Sequence, residues 1–387
     1  MGVPVLDLTR QYASIRPEVE KALKEVFDTQ HFILGAQGQS LEQEVARHLG
    51  VAHAAGCASG TDALLLGLRA LGLRRGEGVL TTSFTFFATA GAIHNAGGRP
   101  FFADIDPATF NLDAAHVRRF LEHECVRGEG GLPVHKATGC IIRVLLPVHL
   151  YGLCADMDGL NGVAKEYGLA VLEDACQAYG STYKGRRAGA LGHLAAFSFF
   201  PTKNLGGAGD GGIMTTNDGA LADHLRMLRV HGSKERYIHE EIGYNSRLDE
   251  VQAAVLRVKL PHVDGWNRQR DVVAGWYRQG LAGIPQVEAP SAPEGYGHIY
   301  HQYVIRAERR DELKGFLQER GTGSMIYYPI PLHLQTCFRF LGYREGDLPH
   351  TERAAREVLA LPVFAELKEA EVAEVCEGIR AFYSGSR

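Results

Sequence analysis

From residue 50 to about 215 the chain alternates short apolar runs with segments whose apolar residues recur every three or four positions, and this rhythm restricts the fold more than any other feature. The run 141–148 is almost continuously apolar. Met157, Leu160, Val163, Ala164 and Tyr167 then follow at helical spacing, and 169–172 is apolar throughout. A buried strand, a helix and a second buried strand make one βαβ unit, so this region is expected to form a mostly parallel sheet with helices packed on it. Further strands are expected at 79–81 and 213–216. A long helix bearing Leu248, Val251, Val255 and Val258 is expected to stop at Pro261, and the boundary between a large unit, 1–260, and a smaller α+β unit, 261–387, is placed there. The smaller unit should hold a strand near His301 and a last helix with Val372, Val375, Ile379 and Phe382 on one face. An N-terminal helix with Val19, Leu23 and Phe27 packs on either unit, and the polar, Gly-rich stretch 127–138 reads as a surface loop.

Composition narrows the partners. With 387 residues, 45% of them hydrophobic, the chain can bury a full-sized core. The 41 basic and 45 acidic side chains are interspersed and leave a net charge of −4, without the basic patch of a nucleic-acid binder. No apolar run is long enough to cross a bilayer, and the first ten residues lack a basic segment followed by an apolar stretch, so a soluble, cytoplasmic protein with a small soluble partner is expected. The seven cysteines (Cys57, Cys125, Cys140, Cys154, Cys176, Cys337 and Cys376) include no C-x-x-C pair and read as reduced thiols, with no metal site.

In an open parallel sheet, ligands bind at the carboxyl ends of the strands. One strand end delivers His149, Tyr151 and Gly152, and the next delivers Asp174, Cys176 and Gln177. Lys203 lies between the aromatic run 197–200 and the glycine loop 206–212, with no carboxylate beside it in sequence; a desolvated lysine there would be an amine nucleophile. Ser59 and Asp62 fit a capping box that opens a helix at 63–71, where free N–H groups and the helix dipole suit a phosphate. Each motif alone also fits an ordinary role: Asp174 a helix cap, Lys203 a solvated loop residue, Ser59 a simple cap. Together, a lysine for a Schiff base, a carboxylate for a pyridine nitrogen and donors for a phosphate suggest pyridoxal phosphate, with Phe86 the candidate to stack on the ring. The fragment Gly207-x-Gly209-x-x-Gly212 matches a dinucleotide fingerprint, which keeps a nicotinamide-dependent sugar oxidoreductase as an alternative, but a strand follows where the fingerprint needs a helix.

The ordered motifs "FILG", "CASGTDAL", "SFTFFATA", "FADID", "PVHLYG", "EDACQA", "FSFFPTKNLGGAGDGG", "GYNSRLDEVQAA" and "YYPIPLH" resemble those of the DegT/DnrJ/EryC1/StrS sugar aminotransferases, nearly end to end. The resemblance implies an α/β fold of type I among pyridoxal-phosphate enzymes, with a mostly parallel seven-stranded sheet and a smaller α+β C-terminal domain. It implies Lys203 as the Schiff-base lysine and proton carrier, Asp174 on the pyridine nitrogen, Gln177 on the cofactor hydroxyl and Phe86 on the ring. Gly60, Thr61 and Ser198 would hold the phosphate, joined by Asn245 from the partner in a homodimer with shared sites. The segment from Arg229 through Arg236, Tyr237 and His239 resembles the branch acting on 3-keto nucleotide-linked sugars, with 4-keto sugars as the alternative. L-glutamate would donate the amine. His149, Tyr151, Arg229, Tyr328 and His333 are the candidate sugar contacts. A catalytically silent regulatory member would be expected to lack Lys203 or Asp174, and both are present.

Overall fold

The computed structural model describes residues 2–385; Met1 and the last two residues, which open and close the two expected units, lie outside the described residues. Seven strands form the main sheet: β1 (His53–Cys57), β2 (Gly78–Thr82), β3 (Arg99–Ala103), β4 (Ile142–Leu146), β5 (Ala170–Asp174), β6 (Leu194–Ser198) and β7 (Gly212–Thr216), in the order β1-β7-β6-β5-β4-β2-β3. β3, β2, β4, β5 and β6 run parallel, while β7 is antiparallel to both β6 and β1.

Alternation along each strand divides the core into two layers. Val171, Ala195 and Ile213 face one side, packed on α2 (Ala36–Leu49), α5 (Ala114–Glu124) and α6 (Met157–Tyr167) through Leu41, Val117 and Leu160. Their neighbours Leu172, Ala196 and Met214 face the other, packed on α3 (Gly60–Ala70), α4 (Ala88–Asn95) and α7 (Gly219–Leu228) through Leu64, Ala92 and Leu225. The expected βαβ unit is therefore β4-α6-β5.

Two expectations are modified. α8 (Glu250–Lys259) does end just before Pro261, but the chain stays helical, through a 3-10 turn, Leu260–His262, into α9 (Val263–Leu281). A proline in the first turn of a helical segment loses no needed hydrogen bond, because that N–H has no partner inside the helix. The stretch 127–138 is not a plain loop either, since Cys125–Arg127 pairs with Pro133–His135 as a short antiparallel ladder. The second half of α9 contributes Val273, Ala274 and Tyr277 to a separate core with β8 (Tyr303–Ala307), α10 (Arg310–Glu319), β9 (Val358–Leu361) and α11 (Glu369–Ser384). The first helix, α1 (Leu8–Thr29), lays Ile15, Val19 and Leu23 on Val255 and Val258 of α8. No helix among the described residues is long and apolar enough to cross a membrane.

Candidate active site

The carboxyl ends of β2, β5 and β6, the start of α3 and the segment 326–335 enclose a cavity of about 690 Å³. Gly60, Thr61, Phe86, Asp174, Gln177, Ser198, Lys203 and Tyr328 all line it. At its polar end, Ser59 caps α3 by accepting from the Asp62 N–H at 3.1 Å. The reciprocal half of the expected capping box is absent: Asp62 instead accepts from Ser246 Oγ at 2.7 Å, and Ser246 accepts from the Ala58 N–H at 3.2 Å. The N–H groups of Gly60 and Thr61 have no partner among the described residues. A Cβ on Gly60 would stand 2.6 Å from Ser198 Cβ, and one on Gly212 would stand 2.4 Å from the Ser59 carbonyl oxygen. Only glycines let these backbones close into a cradle of free donors at a positive helix end, which is what a phosphate needs.

Asp174, at the end of β5, is 5% exposed. Its Oδ2 accepts from Thr89 Oγ1 at 2.7 Å, and Oδ1 accepts from the Cys176 N–H at 3.2 Å. The Lys203 amine has no carboxylate bonded to it among the described residues; desolvation draws its pKa below the ordinary lysine value, opposed by Cys176 and Asp174. Burial pushes the Cys176 thiol well up, so that it remains protonated. Gln177 accepts from the Tyr151 N–H at 2.8 Å, which orients its amide, and donates to Tyr328 Oη at 2.9 Å. The Phe86 ring, 56% exposed, stands at the cavity wall 6.2 Å from the Tyr328 ring.

Four expected sugar contacts lie elsewhere. His149 is fully buried behind β5, its Nδ1 accepting from the Ala155 N–H and its Nε2 donating to Glu173 at 2.9 Å. Glu173 and Asp174 are consecutive on a strand, so they face opposite sides and only Asp174 reaches the cavity. Tyr151 is buried with its hydroxyl on the Tyr327 carbonyl. Arg229 donates to Glu42 at 2.5 Å and to the Gly56 carbonyl at 2.7 Å, tying the end of α7 to β1. His333 is held between Ser83 Oγ at 2.6 Å and Glu352 at 3.2 Å, 1% exposed. Asn245 is exposed, stands before α8 rather than at its start, and does not line this cavity. Thr89, His301, Gln302 and Asp210 line the cavity without having been singled out, because nothing in their local sequence separates them from structural residues. The glycine fragment 207–212 leads into β7, with the Ala208 N–H on Gln252 Oε1 at 2.7 Å, so no helix N-terminus is present for a dinucleotide.

A desolvated lysine, a buried carboxylate and a phosphate cradle around one cavity fit pyridoxal phosphate, and with the sheet order they define an aminotransferase of fold type I that depends on this cofactor. The chain belongs to the DegT/DnrJ/EryC1/StrS aminotransferase family, whose model matches residues 13–380. It is 48% identical, over 99% of each chain, to a pleiotropic regulatory protein of Geobacillus stearothermophilus. It is 43% identical, again over 99% of each chain, to the UDP-N-acetyl-3-dehydro-alpha-D-glucosamine 3-aminotransferase of Acidithiobacillus ferrooxidans. Among solved structures, that of DesV from S. venezuelae in complex with a ketimine intermediate superposes with a TM-score of 0.92, at 40% identity and 98% coverage of both chains.

Proposed function

We propose that this chain is a nucleotide-sugar aminotransferase that moves the amino group of L-glutamate onto the C3 keto carbon of a nucleotide-linked sugar. The observation that carries the reading is the meeting of Lys203, Asp174 and the α3 cradle in one cavity. The similarity to a 3-aminotransferase acting on a 3-dehydro sugar supports C3 over C4. One relative is named as a regulatory protein, but retention of both Lys203 and Asp174 favours catalysis over a silent regulatory role.

Pyridoxal phosphate supplies an electron sink for the carbon that exchanges nitrogen. Asp174 would hold the ring nitrogen's proton, and its clasp by Thr89 and the Cys176 N–H keeps one carboxylate geometry through both half-reactions. The N–H groups of Gly60 and Thr61, with Ser198, would anchor the phosphate. Phe86 would cover the ring, and Gln177 would donate to the ring hydroxyl. Lys203, with its lowered pKa, would carry the proton between the substrate carbon and the cofactor carbon on the other side of the shared nitrogen. Glutamate leaves as 2-oxoglutarate, and the nitrogen replaces the sugar's keto oxygen. In this reading the large unit, 1–260, supplies the polar end of the site, and the smaller unit, 261–387, supplies the wall at Tyr328. The exposed Asn245 completes the phosphate cradle of a second copy in a homodimer. Purified protein incubated with glutamate and UDP- or dTDP-linked 3-keto and 4-keto sugars, with products read by mass spectrometry, tests this. Amination of a 3-keto sugar is expected, and turnover of 4-keto sugars alone would overturn the C3 assignment.

A further inference from the structure

Behind Lys203 a row of side chains runs in one direction. Asn267 donates Nδ2 to the Tyr179 carbonyl at 3.1 Å. Asn204 donates Nδ2 to Asn267 Oδ1 at 2.7 Å and to the Ile299 carbonyl at 3.3 Å. A peptide carbonyl only accepts, so both amides are oriented, and Asn204 Oδ1 is left facing His301 Nδ1 at 3.1 Å. Nδ1 therefore carries the proton and donates it. The other ring nitrogen, Nε2, is a bare acceptor, and it has no partner among the described residues. His301 is 6% exposed and lines the same cavity as Lys203, the chain neighbour of Asn204. Burial and then the charges of Lys203 and Arg270 hold its imidazole well below the ordinary pKa, so the ring is neutral. Arg270 is itself spent on the carbonyls of Tyr300 and Val363, which leaves Lys203 as the cation of the two that shares the cavity with His301.

We propose that His301 is a positioning residue for Lys203: its Nε2 accepts a hydrogen bond from the free amine and aims it at the substrate carbon. This rests on Lys203 being the amine that binds the cofactor and carries the proton. A neutral, tautomer-locked acceptor suits the task, since it orients the amine without adding a charge beside it.

The test uses the full chain freed of cofactor. Pyridoxal phosphate is added across a range of pH, covalent capture by Lys203 is followed by absorbance, and the adduct is fixed with borohydride and located by mass spectrometry. His301→Asn keeps a polar group where Nδ1 stands but has nothing at Nε2, whereas His301→Gln restores one there. For His301→Asn the high-pH plateau of the capture rate is expected to fall by up to about tenfold, the upper end of what one hydrogen bond between neutral groups contributes. Its midpoint should move to lower pH, because the ammonium has lost an acceptor, and kcat should fall with KM for the sugar unchanged. His301→Gln should recover most of both. A plateau and midpoint like wild type in His301→Asn would overturn the proposal, leaving the ring only a brace for Asn204. Nitrogen NMR of histidine-labelled wild type, with His301→Gln to assign the signal, gives a check that depends on no variant's folding: a proton on Nε2 would also overturn it. If wild type itself forms no adduct at Lys203, the role of Lys203 falls instead.

Discussion

Replacing Glu173 by Gln exchanges one oxygen for an NH2 group at a fully buried carboxylate. Oε1 accepts from the N–H groups of Leu191 at 2.7 Å and Gly192 at 2.6 Å, and Oε2 accepts from the Gly189 N–H at 2.8 Å and His149 Nε2 at 2.9 Å. Three of these partners are peptide donors. His149 cannot turn acceptor there without leaving its Nδ1, which already takes the Ala155 N–H at 3.1 Å. Whichever way the amide turns, its NH2 faces two donors, so two hydrogen bonds to a carboxylate vanish. At about 1.5–3 kcal/mol each, the expected loss is about 3–6 kcal/mol, a large share of the about 5–15 kcal/mol that separates native from unfolded chains. Equilibrium urea unfolding followed by circular dichroism measures it, as a lower midpoint at unchanged slope. A loss under about 1 kcal/mol would refute the reasoning, because the loop 189–192 would then have another acceptor for its N–H groups.

Lys203→Ala should abolish turnover while still binding pyridoxal phosphate without covalent attachment, read by equilibrium dialysis and kinetics; normal turnover would sink the assignment of Lys203. Asp174→Asn should fold normally, by circular dichroism, yet lose most of kcat, because a neutral partner no longer favours a protonated pyridine; an unchanged kcat contradicts its role. A verified heterodimer of one Lys203→Ala chain and one Asn245→Ala chain should hold one intact site and one doubly damaged site. It should retain about half the wild-type activity per dimer, provided Asn245→Ala alone is severely impaired; activity well below half rejects the shared site.

Periodicity and local chemistry made much of this protein legible in its sequence. The β4-α6-β5 unit is visible because two buried strands leave near-continuous apolar runs on either side of a helix with its 3.6-residue period. Lys203 and Asp174 stand out only in combination, a lysine before a glycine loop and an acid at a strand end together with a phosphate-binding helix start. The roles of His149, Arg229 and His333 are not written locally. Each lies within or beside a motif, as a ligand contact would, but its partner, Glu173, Glu42 or Glu352, lies 24, 187 or 19 residues away, and only packing brings the two together. The same holds for His301, whose tautomer depends on Asn204, Asn267 and the Tyr179 carbonyl, brought from three distant stretches of chain, and on the carbonyl of nearby Ile299. Sequence determines which chemical groups are available and which face of an element they share. Which buried donor meets which acceptor is decided by strand register and by helices docking across the sheet, because the cost of leaving either unpaired is met only in the folded chain.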